Sequence, residues 1–442
     1  MHILHSLLTE LKEEFAWSKK GQERGSWFIY TLLAIILPFT SSRTSNLLRT
    51  LITLFGFSYV KKKRYYTFMA STKIPWKALW SKVWHMIPEP KTRGKLLIAL
   101  DDFINPKTGK KIFACSRIFD HAAKENQSKY PWAQNVVSIG LLKMIKGRWA
   151  CLPLCHRFYH QRKEIEQKQM KYCGKPIEFL NKHQQAVSMI SEIASGFMNA
   201  DIVVVADSWF GNNGMWKPLR QELGQRVNMI SRLRSNNNLF DLPEESRGPG
   251  RPRKYGDKLG TTSSLAVQCQ ELASEYRVNL YGRKRSVLAY DRVVMLKTLK
   301  CAVRVVWIYR RTQWVALFST DLTLSVNEII EYYGARWKIE ACFKELKRDI
   351  GSADTQARHP VAVTNHLNFC MMATAITWIY ASRLQKTPSR RHAVHGRNHF
   401  AFSDVRRSIA KAALADDFVI LCPPPGKPAD NSVGAALLQL VA

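Results

Sequence analysis

Acidic residues are scarce in this chain. Its 442 residues include 34 Asp and Glu against 67 Lys and Arg, a formal charge of +33. That excess raises self-repulsion without improving a fold, so it argues against an enzyme of small neutral metabolites. A polyanion relieves it, nucleic acid ahead of an anionic membrane surface. Long apolar runs are missing as well. The stretch WFIYTLLAIILPF at 27–39 is shorter than the roughly 18–20 residues a bilayer span needs, and Pro38 closes it, so it reads as a buried helix. No charged opening segment with a small-residue cleavage site marks a signal peptide. Cysteine forms no framework: nine are scattered along the chain, an odd number that fits reduced thiols in the cytosol. The one cluster, Cys151, Cys155, His156 and His160 in CLPLCHRFYH, is too tight for separated zinc-ligand pairs, and its alternating apolar residues read as a strand.

What is present suggests several domains, since 46% apolar content over this length supports a substantial core. Residues 1–90 read as helical and basic, an N-terminal module suited to DNA, with SSRTSNLLRTLITLFGF carrying a Ser/Thr start and a Gly stop. From 91 to 235 the pattern becomes a mixed α/β sheet. KLLIALDDF and KTGKKIFACSRIF read as a hairpin, NVVSIGLLKMI and RWACLPLCHRFY as further strands, and a helix over 178–198 leads to the apolar strand ADIVVVAD. Residues 236–325 open with the polar stretch NNNLFDLPEESRGPGRPRKYGDK and continue in strand-like pieces, a mainly β insertion too long to be a plain connection. Residues 326–385 return to helix, starting at a capping box on Ser325 and Glu328 with Leu324 and Ile329 placed as a staple. The remainder, 386–442, reads as loop-rich.

The chemistry lies in EYYGARWKIEACFKELK at 331–347. At 100° per residue, and with Arg336 at zero, Glu340 falls at roughly 40°, Lys347 at roughly 20° and Tyr333 at roughly 60°. They share one stripe, beside an apolar face of Ile339, Cys342, Phe343, Leu346 and Ile350. Alone, such a stripe is an exposed helix face with i,i+4 charge pairs. Two further acids change its meaning: Asp101 or Asp102 at the end of LIALDD, and Asp207 at the end of VVVAD. Each by itself is an ordinary turn residue. Three carboxylates meeting at one sheet edge repel one another unless cations lie between them, and hard oxygen ligands suit Mg²⁺ or Mn²⁺. Two such ions support phosphodiester exchange, with Arg336 and Lys347 gripping flanking phosphates and Tyr333 bonding or stacking.

The order Asp, Asp, Glu, with Y-x2-R-x3-E-x6-K filled by Tyr333, Arg336, Glu340 and Lys347, resembles the DDE transposases of bacterial insertion sequences over about 95–365. The resemblance implies an RNase H-like core interrupted by the β insertion between Asp207 and Glu340, and two divalent ions. It also implies a homodimeric synapse acting on terminal inverted repeats and target DNA, in a bacterial cytoplasm beside the nucleoid. Asp101, Asp207 and Glu340 become the catalytic metal ligands. Relatives often carry a small residue and Thr after the first Asp, where this chain has Asp102 and Phe103. Position after the strand favours Asp101. Asp102 is the alternative, because neighbouring strand residues face opposite ways. RGPGRPRK at 247–254 resembles a minor-groove hook, which adds Arg251, Arg253 and Lys254 as DNA contacts. Two other readings remain: a metal-dependent nuclease of the same fold without strand transfer, and a basic DNA-binding protein without catalysis.

Overall fold

The computed structural model describes residues 3–415 apart from 40, 58, 121–122, 245–252, 312, 393–398 and 414. Five helices open the chain: α1 (Ile3–Lys12), α2 (Lys19–Ile36), α3 (Thr44–Phe55), α4 (Lys62–Met69) and α5 (Trp76–Met86). Ser18 starts α2 by accepting the Gly21 amide, and Gly56 ends α3 in the left-handed conformation that glycine adopts without a Cβ penalty. The apolar run that is too short to cross a bilayer is the buried half of α2. Among the described residues no helix is long and apolar enough to cross a membrane.

The sheet follows: β1 (Lys95–Pro106), β2 (Cys115–Arg117), β3 (Trp132–Ile145), β4 (Arg148–Tyr159), helix α6 (Arg162–Lys168), and the short pair β5 (Lys171–Tyr172) and β6 (Lys175–Pro176). Then come α7 (Lys182–Gly196), β7 (Asp201–Ala206), α8 (Asn213–Leu223) and β8 (Val227–Arg232). β4, β3 and β1 run antiparallel in that order, and β7 and β8 add to β1 in parallel. Lys146 and Gly147 turn β3 into β4, both at positive φ, as a two-residue hairpin whose twist matches its strands requires. β7 is buried from Ile202 to Ala206, as expected of a parallel strand covered on both faces by its crossover helices. This mixed arrangement is consistent with an RNase H-like fold. The expected hairpin between KLLIALDDF and KTGKKIFACSRIF, which ends at Phe119, does not form. β1 takes β3 as its antiparallel partner, and β2 adds to the far side of β3. The long β3 supplies many more ladder bonds than the three-residue β2.

The remaining strands are β9 (Asn238–Phe240), β10 (Lys258–Thr261), β11 (Ser274–Leu280), β12 (Arg283–Leu296), β13 (Cys301–Tyr309) and β14 (Trp314–Ser319), with α9 (Thr262–Gln268) between β10 and β11. β14 pairs antiparallel with β8, so these strands extend the same sheet. The chain then forms α10 (Val326–Ala335), α11 (Trp337–Lys344), a wider π turn over Glu345–Ile350, α12 (Pro360–Arg383) and α13 (Phe402–Ala413). The capping box on Ser325 and Glu328 is present. The segment from 386, expected to be loop-rich, contains α13. Arg406 of that helix donates to the carbonyls of Ile35, Ile36 and Leu37, the orphan acceptors at the end of α2. Helix α12 joins the two halves of the core. Phe369 packs on Phe28 at 5.0 Å and on Trp76 at 5.1 Å, while Asn365 and Asn368 accept the indole N–H groups of Trp76 and Trp80.

Candidate active site

Strand β1 has two different neighbours, one on each face. Phe103 packs its ring on Phe343 of α11 at 4.5 Å. Side chains alternate along a strand, so Asp101 shares that face and Asp102 takes the other. Asp101 Oδ2 accepts from Arg336 at 3.0 Å. Asp102 instead accepts from Lys182 Nζ at the start of α7 and from Asn135 Nδ2, each at 2.8 Å. The two adjacent acids therefore belong to different environments.

Asp207 comes from the next strand. The parallel register pairs Leu100 with Ala206, so Asp101 and Asp207 stand at the following level, one interstrand spacing of about 4.8 Å apart along the backbone. The turn at Asp207 is tightly built. Its Oδ1 accepts the amides of Trp209 and Phe210, and its carbonyl accepts from Ser231 Oγ of β8. A Cβ on Gly211 would lie 2.2 Å from that hydroxyl, which is why glycine follows Phe210.

Glu340 arrives on α11. The chain remains in the right-handed helical region at Arg336, although α10 ends there, so the i,i+4 relation survives the break. Arg336 donates to Glu340 Oε1 at 3.1 Å as well as to Asp101. Its guanidinium also lies over the rings of Tyr333 and Trp337, at 5.7 and 5.3 Å. Burial opposes its charge, but Tyr333, Asp101, Glu340 and Asp207 outweigh that and push its pKa up. Its side chain is 7% exposed, that of Asp101 20% and that of Glu340 40%, so the site opens to solvent on the Glu340 side.

The carboxylates show the strain of meeting there. Burial pushes the Asp101 carboxyl up to about 7, with Arg336 pulling it down and Asp207 and Asp102 raising it further. Burial also raises Glu340, against Arg336 and with Asp207. One guanidinium faces three acids. The donor set, oxygen only and short of positive charge, suits a hard divalent cation. However, no three His, Cys, Asp or Glu side chains among the described residues are assembled closely enough to hold an ion. Arg336 stands between Asp101 and Glu340.

The other sequence-derived positions scatter more widely. Tyr333 is half-buried, and Arg336, Arg232 and Asp207 all act on its pKa, which burial raises. Lys347 falls inside the π turn, where i→i+5 bonding breaks the 100° phase, and Asp120 is the acid acting on it, while burial lowers its pKa. Arg253 and Lys254 are exposed in the connection to β10. In sheet order β10 is seven strands from β1, on the order of 30 Å at ordinary strand spacing. Arg251 lies outside the described residues. Burial lowers the pKa of both His156 and His160 to about 4. Sequence reasoning missed Lys182 and the half-exposed Trp209, which stacks on His183 at 4.5 Å. Neither carries a spacing signal, since α7 and the Asp207 turn meet only in the fold.

The mixed sheet presents acids from two adjacent parallel strands, Asp101 and Asp207, and a packed helix presents a third, Glu340. Residues 30–283 match the family model described as DDE superfamily endonuclease. The match spans over half of the chain, and the chain belongs to that family. It holds Asp101 and Asp207 and stops before Glu340, whose place rests on geometry. No curated protein matches the chain. The family implies a nuclease- or transposase-type enzyme acting on DNA.

Proposed function

We propose that this protein is a DNA transposase. It cleaves the ends of an insertion sequence and joins the freed 3′-OH ends to target DNA. The observation carrying this reading is the convergence of Asp101, Asp207 and Glu340 on Arg336, from two strands and a helix far apart in sequence.

Asp101, Asp207 and Glu340 are the residues that would hold two Mg²⁺ or Mn²⁺ ions. When bound, such ions activate the attacking water or 3′-OH and stabilise the departing oxygen. The seat of Phe103 on Phe343 fixes the distance between strand and helix, and the Asp207 turn is held by Ser231. Arg336, Tyr333 and Lys347 serve DNA phosphates. A cleft of about 570 Å³ beside α11 is lined by Arg148, Arg283, Lys338, Lys344 and Arg390 against two acids, Glu345 and Asp349, a basic excess that suits the same polyanion. Arg253 and Lys254 meet a distant part of the duplex, and Arg251 is a further DNA contact of the same stretch. A homodimer pairs the terminal inverted repeats.

The test uses a labelled duplex carrying the sequence that flanks the gene, in Mg²⁺. Cleavage is expected from the parent chain, and only background from Glu340→Gln and Asp207→Asn. Undiminished cutting by either variant would overturn the site. The family description as an endonuclease favours a second reading, a nuclease without strand transfer. A pre-cut end incubated with target DNA separates the two, since only a transposase yields joined product.

A further inference from the structure

Arg336 was expected to grip phosphate, yet here both of its terminal nitrogens are committed to acids, at 3.0 Å to Asp101 and 3.1 Å to Glu340. Those are two of the three residues that the proposed function assigns to metal. The commitment is incomplete, because the buried Arg336 Nε has no partner among the described residues. Of the five N–H donors of the guanidinium, the one on Nε is left unsatisfied, which a bidentate phosphate partner would relieve. A place to go is also present. The guanidinium rests against Trp337, which is 48% exposed, and Glu340 is the most open of the bridged groups.

We propose that Arg336 is a positioning residue with two successive partners: Asp101 and Glu340 before DNA arrives, and a backbone phosphate of the bound strand afterwards. The inference rests on the metal-site reading above. Before the exchange, the guanidinium holds strand β1 and helix α11 in register and occupies the place of divalent charge. After it, both carboxylates are released to metal, while the positive fork that would repel the ions has gone to phosphate. DNA binding and divalent-cation binding are then positively coupled, and linkage requires each to strengthen the other by the same factor.

The experiment titrates Mn²⁺ into the full chain, with and without a mixed-sequence duplex, following free Mn²⁺ by electron paramagnetic resonance. In the parent, DNA is expected to tighten Mn²⁺ binding by roughly five- to a hundredfold, the usual range of such couplings. Arg336→Gln is expected to bind Mn²⁺ tightly without DNA and to lose most of the coupling. That sign is opposite to what structural damage gives, because a collapsed site binds metal less well. Arg336→Lys, which keeps a charge but has no fork to bridge both acids, falls between. It also serves as the readout if the Gln variant fails to fold by circular dichroism. Equal DNA-free affinity in the parent and a folded variant overturns the inference, and Glu340-dependent cleavage would then leave the metal site standing. If neither protein binds Mn²⁺ under any condition, the metal-site reading itself falls, and the inference with it.

Discussion

At the scale of single residues, Asp101 and Asp102 are a matched experiment within the chain. They are adjacent and chemically identical, yet one faces α11 and the other α7. Asp101→Asn is expected to reduce metal-dependent cleavage to background. Asp102→Asn breaks a pair whose side chains are each only about one-fifth exposed, so it is expected to cost about 2 kcal/mol of stability and to keep cleavage within a few-fold of the parent. Parallel urea melts and cleavage assays check both. The reverse ranking of the two variants would move the first ligand to Asp102. Sequence left this choice open, because alternation shows that the two residues differ without showing which side faces the helix.

Among elements, the Glu340 helix is held at its far end by unusual means. Ser42 Oγ donates to Ile350 O, and Lys107 Nζ at the end of β1 donates to the carbonyls of Ser352, Ala353 and Thr355. At the start of the π turn, Trp378 donates to Glu345. Burial pushes the Glu345 carboxyl up to about 8, against the pull of Arg148 and of that hydrogen bond. The folded pKa thus lies above the unfolded value of about 4.3. Between those values the folded chain holds a proton that the unfolded chain has lost, so this group makes stability fall as pH rises from about 4.3 to about 8. Glu345→Gln is expected to remove that slope and to be more stable than the parent at pH 8 by about 1 kcal/mol or more. Denaturation midpoints of both proteins at pH 6 and pH 8 check it. An unchanged difference between the two pH values would show that the carboxyl is ionised in the fold. The π turn also marks a limit of pattern reading. The helical stripe is read at 100° per residue, a phase that holds on α10 and α11 and changes over Glu345–Ile350, where Lys347 lies.

For the whole molecule, legibility followed the range of the interactions. The strands LIALDD and VVVAD, the capping box on Ser325 and the apolar face of α11 were readable, because each is encoded within a few residues. The partner of β1 was not, since pairing β3 with it depends on a ladder across some thirty residues of sequence. Nor was the continuity of the sheet past β8, which is made by β14 after a long excursion. The guanidinium between Asp101 and Glu340 was half legible: its i,i+4 relation to Glu340 was visible, and its reach to β1 was not. The central claim is that these acids, brought from β1, β7 and α11, hold divalent ions on DNA. Anomalous diffraction from Mn²⁺ in crystals of the DNA complex tests it most directly. The expected result is Mn²⁺ density at the carboxylates of Asp101, Asp207 and Glu340. Mn²⁺ bound to DNA but away from all three carboxylates, in a complex that still cuts, would contradict it.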